Sequence, residues 1–250
     1  MTRPVLWIGL TGPAFGGKDF CRRLLQANVT KGTAVVVARY AEPIYQMIRP
    51  LCPRAHSGMG KDAKERPREE LGGLSVRQMA IAIGQGARQF DPLVWVNLHR
   101  AQAERHIQLH LTQQNLEEPF RRVLVIVPDM RFETERAAFD EIQDRKVLIH
   151  VFAENAERSS MEGTDTERGL ALHPHKDELF FNDHRLGVEE GARRFMHILA
   201  DSEHLKWPNG IKDYVNEFIP LSEMVANQWA LQRAEEKAAW QLQELHPDPV

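Results

Sequence analysis

The sequence predicts an α/β protein built on a doubly wound parallel sheet. Short apolar runs alternate along the chain with segments of helical periodicity, the pattern of strands joined by crossover helices. Several runs are apolar at every position, as strands covered by helices on both faces must be. The first run feeds a glycine loop that opens a helix, the unit with which such sheets hold ligands beyond the ends of their strands.

Residues 5–10 form the first strand, and Phe20, Cys21, Leu24 and Leu25 recur at helical spacing after the loop. Thr33-Ala34-Val35-Val36-Val37-Ala38 is the second strand. Residues 41–53 hold a short helical segment interrupted by prolines. Residues 61–70 are dense in charge of both signs and carry Pro67, so they are expected as an exposed linker. Ser75 is placed as the N-cap of a helix through Val76, Met79, Ala80 and Ile83 that ends at 84–86. Asp91-Pro92 then starts a long helix through Trp95, Leu98, Ile107 and Leu111.

Val123-Leu124-Val125-Ile126-Val127-Pro128-Asp129 is an apolar strand ending in a carboxylate, and a helix over 133–144 leads from it to a strand over 147–152. The polar stretch 155–178, with Gly163, Gly169 and Pro174, reads as a long loop or lid. A helix over 188–199 follows. The tail carries Met224, Val225, Trp229, Leu231, Trp240 and Leu242 at helical spacing, an amphipathic face to be buried on the core or on a second subunit.

Composition narrows the function classes. The 250 residues, 42% hydrophobic and 27% charged, suit one sizeable core with insertions, so one domain with a lid is expected. A formal net charge of -3 provides no basic field for an extended nucleic-acid footprint. Cys21 and Cys52 show no CxxC spacing and read as reduced packing residues, which suits a reducing cytosol. No apolar run approaches a membrane span, and the N-terminus lacks a signal-peptide pattern, so a cytoplasmic protein is expected.

The chemistry concentrates in the first loop. Gly12-Pro13-Ala14-Phe15-Gly16-Gly17-Lys18 fits GxxxxGK, in which backbone N–H groups turn toward phosphate and the lysine neutralises the outer phosphates. The expected ligand is a nucleoside triphosphate, ATP or GTP. Asp19 stands where a Ser or Thr hydroxyl normally binds Mg²⁺. Asp129, at a strand's carboxyl end, is a candidate to hold Mg²⁺ through water or to orient an arginine; the bland alternative is a helix cap. Arg131 follows on the same loop and Arg88 lies between two helices, and arginine forks match phosphate bidentately. Trp95 stacks on a base or sugar, or packs in the core. Glu133 and Glu135 favour the helix dipole. His173, His175 and His184 lack the cysteines or regular spacing of a zinc site.

Gly12-Pro13-Ala14-Phe15-Gly16-Gly17-Lys18-Asp19, Ser75-Val76-Arg77-Gln78, Gly84-Gln85-Gly86-Ala87-Arg88 with Asp91 and Trp95, and Asp129-Met130-Arg131-Phe132-Glu133-Thr134-Glu135, in this order, resemble the bacteriophage deoxynucleoside monophosphate kinases. His175-Lys176-Asp177-Glu178 leading to Phe180-Phe181-Asn182-Asp183 is loosely similar to that family's His-x-Ser-Glu and terminal Asn segment, with the Ser missing. The resemblance spans roughly residues 5 to 200. It implies a P-loop NTPase-type core of five parallel strands, a monophosphate-binding helical insertion over about 41–118 and a lid over about 155–178; residues 201–250, which carry none of its motifs, are expected as a helical extension.

The implied reaction moves the ATP γ-phosphoryl group to a deoxynucleoside monophosphate. Gly12, Gly16, Gly17, Lys18 and Asp19 would hold the ATP phosphates; Arg77, Arg88, Trp95, Asp129 and Arg131 the acceptor; and Arg158 or Arg168 would close on the transferring group. Mg²⁺ would lie at Asp19 and Asp129. The expected partners are the substrates, with a second copy of the chain as a candidate for a homodimer, and neither nucleic acid nor membrane. Two other readings stand beside this one: another small-molecule P-loop kinase resembling dephospho-coenzyme A kinase, and a nucleotide-binding module without turnover.

Overall fold

The computed structural model describes residues 4–13, 16–112, 120–153, 170–173, 176–202, 205 and 210–215. The chain divides into two compact units, whose described parts run over residues 4–38 with 103–215 and over residues 39–102. Among the described residues no helix is long and apolar enough to cross a membrane.

The first unit is a five-stranded, all-parallel sheet: β1 (Val5–Thr11), β2 (Thr33–Val37), β3 (Arg122–Met130), β4 (Arg145–Phe152) and β5 (Asp177–Phe181). The order across the sheet is β2-β3-β1-β4-β5, so β1 is central. From β1 the chain crosses to one side through α1 (Lys18–Ala27), and from β3 it crosses back over β1 through α6 (Glu133–Asp140). Crossovers of one hand running in opposite directions must use opposite faces.

The packing follows that rule. Leu6, Ile8 and Leu10 of β1 share a core with Cys21, Leu24 and Leu25 of α1 and with Ala192, Phe195 and Leu199 of a later helix, α7 (Gly187–Asp201). The other face of β1 meets α6: a Cβ on Gly9 would lie 2.9 Å from a Leu148 methyl and 3.2 Å from the Phe139 ring. Leu205, Ile211, Tyr214 and Val215 join the first of these cores, and Val215 bridges back to Val29.

The expected strands and the helices α1, α6 and α7 occur close to their expected bounds, with α6 stopping at Asp140. The β5 strand is a correction, since Asp177 and Glu178 were read as loop. Asp177-Glu178-Leu179-Phe180-Phe181 opens on two acids, leaving only three apolar residues in a row, and its first position is built into a buried ionic cluster. Residues 155–169 and 174–175 of the expected lid, and the expected tail helix over 221–245, lie outside the described residues.

The second unit contains α2 (Glu42–Ile48), α3 (Lys61–Glu65), α4 (Val76–Phe90) and the start of α5 (Val94–Thr112). Ile44, Tyr45, Ile48, Cys52, Leu71, Val76 and Trp95 form its core. Ser75 caps α4 as its sequence signature requires: its hydroxyl accepts from Gln78 N at 3.1 Å, and the Gln78 side chain accepts from Ser75 N at 2.8 Å.

Two expectations fail here. The α4 helix runs through Gly84 and Gly86 to Phe90, because Gly84 serves packing: a Cβ there would lie 3.2 Å from the Ile44 side chain, and its carbonyl accepts the Trp95 indole N–H at 2.9 Å. Residues 61–70 are likewise no linker. They form α3 and a 3-10 turn (Glu69–Leu71), with the Lys64 ammonium donating to Ser57 O at 2.7 Å and lying 5.5 Å from the Tyr45 ring centre.

Because Phe139 is the side chain with which α6 closes the β1 face, Phe139→Ala should cost ~3–5 kcal/mol, the usual range for a buried aromatic. Urea unfolding should show a lower midpoint with an unchanged m-value.

Candidate functional site at the end of the central strand

The loop between β1 and α1 leaves the central strand at the point where the direction of strand addition reverses. Doubly wound sheets gather ligands beyond the strand ends at that place. A Cβ on Gly12 would overlap the Val151 carbonyl oxygen of β4, and one on Gly16 would lie 2.7 Å from the same atom. Gly12 also has φ 126°, in the region open mainly to glycine. Behind the loop, the Asn182 side chain occupies the space that a Gly17 side chain would need. Two of the motif glycines are therefore demanded by the approach of β4, and the third, Gly17, by its φ of 103°, with the Asn182 side chain packed beside it.

Lys18 opens α1 and folds back over the loop, its ammonium donating to Gly12 O at 2.7 Å and Pro13 O at 2.6 Å. No side chain caps the helix start, and Asp19 is the acidic residue of the first turn. The Asp19 carboxylate is 62% exposed and takes the Arg22 guanidinium at 3.2 Å. Ala14 and Phe15 lie outside the described residues.

The neighbouring strand brings up the second motif. Pairing between β1 and β3 runs from Val5↔Val123 to Gly9↔Val127 and then shifts, so that Thr11 faces Met130. The extra residue is a bulge where Pro128, having no N–H to donate, enters a central strand. Asp129 sits in this bulge, half-buried between buried neighbours, and Arg131 follows the strand end. The Thr11 hydroxyl locks the register by donating to Met130 O at 2.8 Å. Asp129 thus belongs to the strand and does not cap α6. The capping is done by Glu135, 3% exposed, whose carboxylate accepts from Arg131 N at 2.7 Å and Phe132 N at 3.2 Å.

The remaining site candidates belong to the second unit, apart from two. Arg88 lies half-buried along α4, with one guanidinium nitrogen beside Gly84, 3.6 Å from where a Cβ there would be. Arg77 is 3.8 Å from the Glu65 carboxylate. Trp95 is 2% exposed with its N–H committed to Gly84 O, so it is a core residue with no free face for a base, and the stacking role is withdrawn. Arg158 and Arg168 lie outside the described residues.

Sequence reasoning missed the ionic cluster on the α6 face of the sheet. Asp177, at the start of β5, accepts the Arg136 fork at 2.8 and 2.6 Å, His150 Nε2 at 2.9 Å and His173 N at 2.8 Å. Burial raises the Asp177 carboxyl, but the Arg136 hydrogen bonds and the His173 N–H outweigh it and hold the group below its ordinary value. Burial lowers His150 against the pull of Asp177. A charge at helical position 136, a lone His in an apolar run and an acid before Leu179-Phe180-Phe181 leave no local signal that they meet.

No family model matches the chain, and no curated protein matches it.

Two measurements follow from this geometry. Arg136→Ala strands the Asp177 carboxylate in the core and should cost ~3–5 kcal/mol in urea unfolding. The neutral His150 of the native state takes up fewer protons than the unfolded chain below the ordinary value of 6.5. Its contribution to stability should therefore fall as the pH drops from about 6.5 toward its lowered native value. Asp177 adds stability above its ordinary value of 3.8 and loses it as the pH falls through its lower native value. Urea midpoints against pH should show the first loss in the native chain and a flatter profile in His150→Gln.

Proposed function

We propose that the protein is an ATP-dependent deoxynucleoside monophosphate kinase, converting ATP and a deoxynucleoside monophosphate to ADP and a deoxynucleoside diphosphate. The observation that carries the reading is the loop pressed on β4 at the end of the central strand, with the Lys18 ammonium across it and a first-turn helix N-terminus behind it. Such a loop presents backbone N–H groups, a helix dipole and one cation to a single place, which suits a polyphosphate. The order of motifs through Arg88 and the Asp129 to Glu135 segment supports a phosphate acceptor.

In the proposed step an oxygen of the acceptor 5′-phosphate attacks the γ-phosphorus, and the bond from that phosphorus to the β,γ-bridging oxygen breaks with its electron pair leaving on ADP. The acceptor is already an anion, so no general base is needed, and positioning and charge stabilisation supply the rate. Lys18 would neutralise charge on the donor phosphates, and Arg131, leaving the strand next to the loop, would meet the transferring group or the acceptor. Arg88 and Arg77 would bind the acceptor phosphate.

Mg²⁺ in such reactions takes one or two carboxylates and otherwise phosphate oxygens and water, and it would lower the charge on the β- and γ-oxygens. Among the described residues no three His, Cys, Asp or Glu side chains group as a metal cage. The exposed Asp19 of the first turn and the bulge residue Asp129 fit the sparser set, holding the ion directly or through water.

ADP release should be measured with ATP and each deoxynucleoside monophosphate in turn, with dephospho-coenzyme A as a further acceptor. Turnover on one or more monophosphates supports the proposal; silence on all of them, or turnover only on dephospho-coenzyme A, contradicts it. Lys18→Ala should lower kcat by roughly two decades or more if charge stabilisation dominates. Arg88→Ala should raise the KM for the monophosphate much more than that for ATP, and an equal rise in both would remove it from the acceptor site.

A further inference from the structure

The Asp177 carboxylate, its side chain 1% exposed, reaches the glycine loop by two routes without a hydrogen bond to any of the described loop residues. One runs through the backbone of residues 170–173. His173 N donates to Asp177, and Arg136, held by the same carboxylate, donates to Ala171 O at 3.3 Å. Leu170 N donates to the Thr11 hydroxyl at 3.3 Å, and Thr11 is the residue before Gly12. The other route runs through His150, which precedes Val151, the residue whose carbonyl oxygen leaves no room for side chains at Gly12 and Gly16. The backbone of β4 and the residue that launches the loop are both tied to one buried acid.

We infer that Arg136, Asp177 and His150 are positioning residues for the phosphate loop, setting the two supports on which it rests. The inference relies on the proposed function only for the identity of the ligand at the loop. The cluster holds one carboxylate and one guanidinium, and His150 donates through Nε2, so it is neutral while His150 carries a single proton. Among the described residues the charged and titratable groups facing His150 are Asp177, Arg136 and His173, and Arg136 also faces Asp140 and Glu133. His150 Nδ1 is buried and has no hydrogen-bond partner among the described residues. A second proton there would add a cation beside Arg136 with no further acceptor to receive it, and the two supports would shift together.

The test uses the full chain, Mg·ADP titrated by calorimetry, and hydrogen exchange at the amides of Leu170 and His173. Asp177→Asn should weaken Mg·ADP on the order of tenfold, a size reached by mutations along packed networks, and expose both amides while the β1 amides stay protected. His150→Gln keeps a donor for Asp177 without a titrating ring. It should bind Mg·ADP like the native chain near pH 7.5 but lose less affinity by about pH 5.5. Asp177→Asn that folds with unchanged affinity and exchange overturns the inference. So does His150→Gln with the native pH dependence, and that comparison decides the matter if Asp177→Asn fails to fold. Absence of Mg·ADP binding by the native chain would instead overturn the nucleotide reading, and exchange at Leu170 and His173 would still decide whether the cluster holds its segment.

Discussion

The contact between the glycine loop and the Val151 carbonyl governs how the first unit is put together. With no Cβ at Gly12 or Gly16, the chain leaving β1 turns directly against β4 and enters α1 without the room an ordinary turn would take. That turn starts α1 on Gly17, which has no side chain to cap the helix, and returns Lys18 over the loop carbonyls. It also sets α1 on the face where Leu24 and Leu25 meet Leu6, Ile8 and Leu10. A side chain at either glycine would disturb the chemistry and the packing together.

The opposite face of the same strands solves a different problem. The α6 helix covers β1 and β4 with Phe139 but also buries Arg136, whose charge must be answered in a region of low dielectric. Asp177 answers it and gathers His150 and the backbone of 170–173 as well, so a single acid satisfies donors from α6, β4 and an incoming segment. Such a pair adds little net stability relative to apolar packing, because desolvation consumes the Coulomb gain. Its effect is on geometry, since each donor direction constrains the element that bears it.

Reading the sequence alone located what depends on local pattern. The apolar runs of β1 to β4, the N-cap at Ser75 and the glycine loop are each written in consecutive residues, and each stands near its expected place. What failed depends on partners distant in the chain. β5 begins with a buried acid that looks like loop until Arg136 and His150 are placed around it. Gly84 looks like a helix stop until Ile44 is seen packed closely against it and the Trp95 indole N–H bonded to its carbonyl. The charged run at 61–70 looks like a linker until Lys64 is placed over Tyr45. Of the site, Gly12, Gly16, Gly17 and Lys18 are legible as a motif. Val151 in β4 and Asn182 just after β5, against which those glycines pack, lie more than a hundred residues later.

The central claim is that this loop, resting on β4 with Lys18 above it, is a polyphosphate site. A crystal structure of the protein with Mg·ADP tests it most directly. The account predicts the β-phosphate within hydrogen-bonding distance of the backbone N–H groups of residues 16–19, with the Lys18 ammonium moved from the Gly12 and Pro13 carbonyls onto phosphate oxygen. ADP bound elsewhere, with Lys18 still on those carbonyls, would contradict it.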